Sequence, residues 1–222
     1  MLDDAVFRNT VTCMRKPFIL ILLAHALFLL NACAGGARTA STPTTEPALY
    51  PDIVSPYKLK EPGPGGGIVF YASRKPFPCG PDLSSLCNFL EVAPFAVEVK
   101  RPWAQEGNVA TDVPGAERSA IGTGWANTLA IIEQGNTDPM LSAAAYAEAY
   151  EQNGYTDWYL PSRDEVHELT ITREVIGGFT METYWTSTER DGARVWYQNF
   201  LSGFQFLDDK SVEYIVRPVR AF

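Results

Sequence analysis

The chain has 222 residues, 46% of them hydrophobic and 20% charged, with a formal net charge of −8. That composition suits a folded protein and contains no Lys/Arg run able to track a phosphate backbone, so nucleic acid is excluded as a partner class. The same acidic balance disfavours anionic polysaccharide unless a local basic patch overrides the global field.

An apolar run from Phe18 to Leu30 follows the basic pair Arg15-Lys16 and ends in Leu30-Asn31-Ala32-Cys33. A positive start, a short apolar core and small residues before a cut make an export signal. The core, about 13 residues, is shorter than the roughly 20 needed to span a bilayer, so residues 1–32 read as a signal peptide. Asp3 and Asp4 do not suit its positive start, and Met14 is the expected point of initiation. The cysteine directly after the small residue resembles the lipobox of bacterial lipoproteins. That resemblance implies a diacylglycerol on the Cys33 thiol and a further acyl chain on its amino group. Two or more chains anchor stably, because each buried methylene contributes roughly 0.8 kcal/mol. Ala34-Gly35, with no Asp after the cysteine, favours the outer membrane in a cell that has one, with the protein facing periplasm or exterior.

Residues 33–56 are rich in Ala, Gly, Thr, Ser and Pro without apolar periodicity and read as a lipidated flexible tether, spanning roughly 25 Å. Residues 57–222 are the size of one domain with one core. Cys79 and Cys87 are the cysteines of that region, and export places them where disulfides persist. A metal site fails on ligand count, since zinc wants four ligands and His167 is the one histidine there. The spacing is not that of a CxxC redox pair. A structural disulfide is therefore expected.

Ile68 to Tyr71, after Gly65 to Gly67, reads as a first strand, and Phe89 to Ala93 is a second apolar segment. Val99 to Glu117, interrupted by Pro102, Pro114 and Gly115, reads as a long loop. Trp125 to Gln134 has helical spacing and ends at Gly135. Asp138-Pro139 reads as the cap and first position of a second helix reaching Tyr150. Ser162 to Glu165 is a capping box opening a third, which carries His167 and Leu169. Then come short aromatic strands at Tyr184–Thr188, Arg194–Phe200, Phe204–Leu207 and Glu213–Val219, with turns at Asp191-Gly192 and Ser202-Gly203. Two or three helices followed by an antiparallel meander predict an α+β domain.

The segments GPGGGIVFY (63–71), AIGTGWANTLAII (120–132), NGYTDWYLPSRDE (153–165), YWTSTE (184–189), VWYQNF (195–200) and VRPVRAF (216–222) together resemble the Lcl C-terminal domain family. The resemblance implies a fold similar to the C-type lectin-like and formylglycine-generating-enzyme folds, on bacterial surface proteins associated with adhesion or carbohydrate binding.

Several of these residues have structural readings. Trp158 is expected in the core, Ser162 and Glu165 at the helix cap, and Trp185 and Trp196 facing each other on neighbouring strands. Arg217 and Arg220, in a strand suited to burial, are expected to pair with carboxylates such as Glu165 or Glu189. The binding reading needs exposed rings beside planar polar groups, because sugars present apolar faces and hydroxyl edges. Trp103, Tyr184, Arg190, Asp191, Arg194, Tyr197 and Gln198 are the candidates for such a site. Asp157, Asp164, Asp208 and Asp209 are oxygen donors available to calcium, but the EPN and QPD triplets of sugar-binding C-type lectins are absent. No cofactor is otherwise implied. No nucleophile is paired with a base, since Ser162 is better used as a cap than beside His167, and no catalytic residue is assigned. The expectation is a membrane-anchored lipoprotein binding a glycan or a surface protein. A noncatalytic structural or assembly component of the cell envelope is the alternative.

Overall fold

The structure is a computed structural model that describes residues 56–222. The signal-like segment, Met14, Cys33 and the tether through residue 55 lie outside the described residues.

The first strand, β1 (Ile68–Cys79), is longer than its apolar start suggests and pairs antiparallel with β2 (Ser85–Val92) through two register irregularities. Cys79 and Cys87 are bonded near the tip of this hairpin, where Cys79 faces Ser85 and Phe77 faces Cys87. The GPGGG run has a close-approach role. The amides of Gly65 and Gly67 each donate to the buried Glu91 carboxylate of β2 at 2.9 Å. A Cβ on Gly67 would stand 2.6 Å from the Val92 carbonyl oxygen, so side chains are excluded there.

The expected loop after Val99 begins instead as β3 (Val99–Pro102), an edge strand on which proline is tolerated. Helix α1 (Gly124–Glu133) falls where its spacing predicts. Helix α2 (Ala143–Glu148) starts later than Asp138-Pro139, because Asp138 closes a local turn onto the Met140 amide and Ser142 supplies the cap. Helix α3 (Arg163–Ile176) opens on the expected capping box.

The strands β4 (Thr183–Glu189), β5 (Arg194–Asn199), β6 (Gln205–Asp209) and β7 (Glu213–Val216) follow. Pro218 breaks the last expected strand, so β8 (Val219–Ala221) leaves β7's sheet and joins the first hairpin. The result is a three-stranded sheet, β1-β2-β8, and a five-stranded sheet, β3-β7-β4-β5-β6. The meander is not wholly antiparallel, since β4 and β7 pair parallel at Tyr184 and Ile215. One apolar core joins α1 and α2 to the five-stranded sheet through Ile131, Ala144, Ala147, Trp185 and Val195. A second joins α3 to both sheets through Phe70, Leu90, Leu169, Tyr184 and Phe200. The domain is α+β.

Among the described residues three ion pairs are buried. Arg217 reaches Glu98 at 3.1 Å and Arg220 reaches Glu91 at 3.0 Å, with Asp157 as its second acceptor. Lys210, fully buried, pairs with Glu189. The expected pairing of Arg217 and Arg220 with Glu165 or Glu189 is therefore corrected: Glu189 is taken by Lys210, and Glu165 is held by uncharged donors.

Candidate functional site

Register decides which aromatic rings reach solvent. Trp185 lies opposite Tyr197, and Tyr197 opposite Phe206, so these three share one sheet face, with the Tyr214 ring 4.6 Å from Trp185. Trp196, one residue from Tyr197, points to the other face, so it does not meet Trp185 as expected. Trp158 is buried, as is Trp185, while Trp196 is half-buried.

Trp196 borders a surface depression of about 420 Å³ with Glu117, Ser119, Arg163, Thr188 and Arg190, above the Glu189 carboxylate. Two of its walls, the start of α3 and the 117–122 segment, are fixed by hydrogen bonds. The Arg163 guanidinium, at the first position of α3, lies over the Trp196 ring at 5.1 Å, while its Nε donates to Asp164 at 3.3 Å. Such stacking orients the planar fork without using its terminal nitrogens. The Arg163 amide donates to Thr188 Oγ1 at 2.9 Å, and that hydroxyl donates to the Arg118 carbonyl at 2.8 Å. The 117–122 segment is stapled to the start of α3 by the Asp164 amide on the Ser119 carbonyl at 3.0 Å and by Ser162 Oγ on the Ala120 carbonyl at 2.9 Å. Gly122 completes the staple by donating to Glu165 Oε1 at 2.8 Å. Its φ of 89° and the contact a Cβ would make with the Pro78 carbonyl leave glycine as the residue that fits.

Glu165 is fully buried and accepts further from the Ser162 amide at 2.6 Å and the Tyr159 hydroxyl at 3.1 Å. Burial pushes its carboxyl up to about 7 against the pull of those three donors. Below the depression Glu189 takes the Val113 amide at 2.9 Å and Lys210 Nζ, which also donates to the Thr111 carbonyl at 2.7 Å and sits 5.0 Å from the Trp103 ring.

Of the residues expected to bind, Arg190 lines the depression, and its side chain has no partner among the described residues. Asp191 and Arg194 close on each other at 2.7 Å in the adjoining turn, and this hydrogen bond draws the Asp191 carboxyl below its ordinary range. Tyr197 lies on the opposite face of the sheet. Trp103, Tyr184 and Gln198 are buried and have no face to offer a ligand. The two rings satisfy their polar atoms inside: the Trp103 indole donates to the Thr186 carbonyl, and the Tyr184 hydroxyl donates to Glu98 at 2.8 Å. The four aspartates do not converge. Asp157 serves Arg220, Asp164 serves Arg163 and Asp208 accepts from Tyr214. His167 is exposed on α3.

Sequence reasoning missed Trp196, Arg163, Glu117, Ser119 and Thr188 as site residues. Strand parity carried the signal for Trp196, because residues 196 and 197 must point to opposite faces.

No curated protein matches the chain. The model of the Lcl C-terminal domain matches residues 102–220. That match begins at the end of β3, so the glycine-rich block and the first hairpin lie ahead of it. With more than half its length matched, this chain belongs to the Lcl C-terminal domain family.

Proposed function

We propose that the chain is a lipid-anchored surface lipoprotein of the bacterial cell envelope whose lectin-like domain binds a glycan, noncatalytically, in the depression at Trp196. The fold proposed for residues 57–222 is similar to the C-type lectin-like and formylglycine-generating-enzyme folds. One observation carries the binding reading: Arg163 and Arg190 bring guanidinium groups to one concavity beside a half-exposed indole and the Glu117 carboxylate. Sugar hydroxyl pairs suit such planar polar groups, and the apolar sugar face suits the ring edge. The two arginines share the lining with Glu117 and Glu189, so the depression offers both donors and acceptors to hydroxyl groups.

A glycan array probed with the chain from Ala34 onward, with calcium and again with chelator, tests this. Saturable binding is expected, weakened about tenfold by Trp196→Ala and by Arg190→Ala, with circular dichroism unchanged. A blank array at high protein concentration would overturn glycan binding in favour of a surface-protein partner or an envelope scaffold.

A further inference from the structure

The depression occupies one end of the β4–β5 strand pair, at Thr188 to Arg190. The other end is different in character. The turn between β5 and β6 exposes Leu201 at 73% and Phe204 at 66%, and Phe206, at 46%, continues the patch with its ring 6.4 Å from that of Phe204. Met181, also exposed, adjoins through the Phe200 amide's bond to the Glu182 carbonyl at 2.9 Å. From Val195 to Leu207 no residue carries a charge, although 20% of the chain is charged. Glu182, whose carbonyl accepts the Phe200 amide, pairs its carboxylate with Lys100.

We infer that this hairpin tip, Leu201, Phe204 and Phe206, docks into the headgroup region of a zwitterionic bilayer and so turns the Trp196 depression away from the membrane. The inference rests on the lipid-anchor part of the proposed function. An anchor at Cys33 with a tether spanning roughly 25 Å keeps the domain beside the bilayer, so weak insertion of three apolar side chains is enough to hold an orientation. An acidic domain gains nothing from anionic headgroups, and an uncharged apolar tip is the element that a lipid surface accepts. The strand run from Thr183 to Thr188 sets the Leu201–Phe204 turn and the Thr188 wall of the depression roughly 17 Å apart, and Phe206, opposite Tyr197, presents to the sheet face away from Trp196.

The full lipidated chain carrying Phe204→Trp, reconstituted in phosphatidylcholine vesicles with brominated acyl chains, reads the tip directly. The emission added over the parent chain is expected to shift to the blue and to be quenched at least about twofold relative to unbrominated vesicles. The same emission is expected to lose that quenching when Leu201→Glu is added. Flotation of the parent and of Cys33→Ser scores the anchor separately, and quenching is read on the floated fraction. If neither chain floats, the anchor reading fails, and the orientation inference falls with it. Added emission indifferent to bromine on floating protein would overturn the inference alone. A blue shift that depends on protein concentration, without quenching, would also overturn it, assigning the tip to a second copy of the chain.

Discussion

Replacing Lys210 by methionine is expected to lower the stability of the domain by about 3–5 kcal/mol, the cost of stranding a buried partner charge. Lys210 is fully buried and its ammonium group is held by Glu189 and the Thr111 carbonyl beneath Trp103. Methionine matches much of the lysine stem in volume, so the loss is one of charge and hydrogen bonds and not of packing. Glu189 would remain buried with the Val113 amide as its remaining donor among the described residues. The companion Lys210→Met with Glu189→Gln removes both charges and leaves an amide oxygen for Val113, and it is expected to recover at least half of the loss. Denaturant midpoints at constant m-value measure both. Equal losses in the single and double variants would show that the pair's charge is not what holds the segment around Val113.

The second large effect depends on pH. Glu165 is an acid whose carboxyl rises from 4.5 to about 7 on folding, because burial outweighs three hydrogen bonds and no cation is among its partners. Between pH 4.5 and 7 the folded state therefore holds a proton that the unfolded state has released. Stability from this group is fully present below about pH 4.5 and is lost as pH rises through 7. The difference amounts to about 3 kcal/mol. Glu165→Gln cannot titrate, so the stability of the parent minus that of the variant should fall by this amount between pH 4.5 and 7.5, in parallel urea titrations. A difference that stays flat across the window would mean that Glu165 remains ionised throughout. Because Glu165 holds Gly122, the same titration bears on the segment that carries Glu117 and Ser119 to the depression.

Local chemistry was the legible part of the sequence. The capping box of α3 and the Cys79–Cys87 bond both follow from rules acting over a few residues, and both are present. The start of α2 was misread because Asp138-Pro139 fits a helix start and a turn equally well, and only the burial of Ser142 and of the alanines after it favours the turn. Ion-pair partners were illegible for a different reason. Arg217 and Glu98 are 119 residues apart, and a chain with 26 acidic residues offers no local rule for choosing among them. The binding candidates failed where ring type was taken as a sign of exposure. Trp103 and Tyr184 use their polar atoms on interior acceptors, which is how large amphipathic rings are buried. Trp196 carried its clue in strand parity, and Arg163 became a site residue only because α3 starts over that ring.

The five tryptophans of the chain give five indole N–H resonances, and each has a different environment. Trp103, Trp158 and Trp185 are buried, Trp125 stacks on Tyr159, and Trp196 borders the depression. In a nitrogen-15 titration of the chain with an array-positive glycan, the Trp196 resonance, assigned by its absence in Trp196→Phe, should shift saturably while the other four hold still. Saturable binding that leaves the Trp196 resonance in place would put the glycan elsewhere and contradict the assignment of the depression as the binding site.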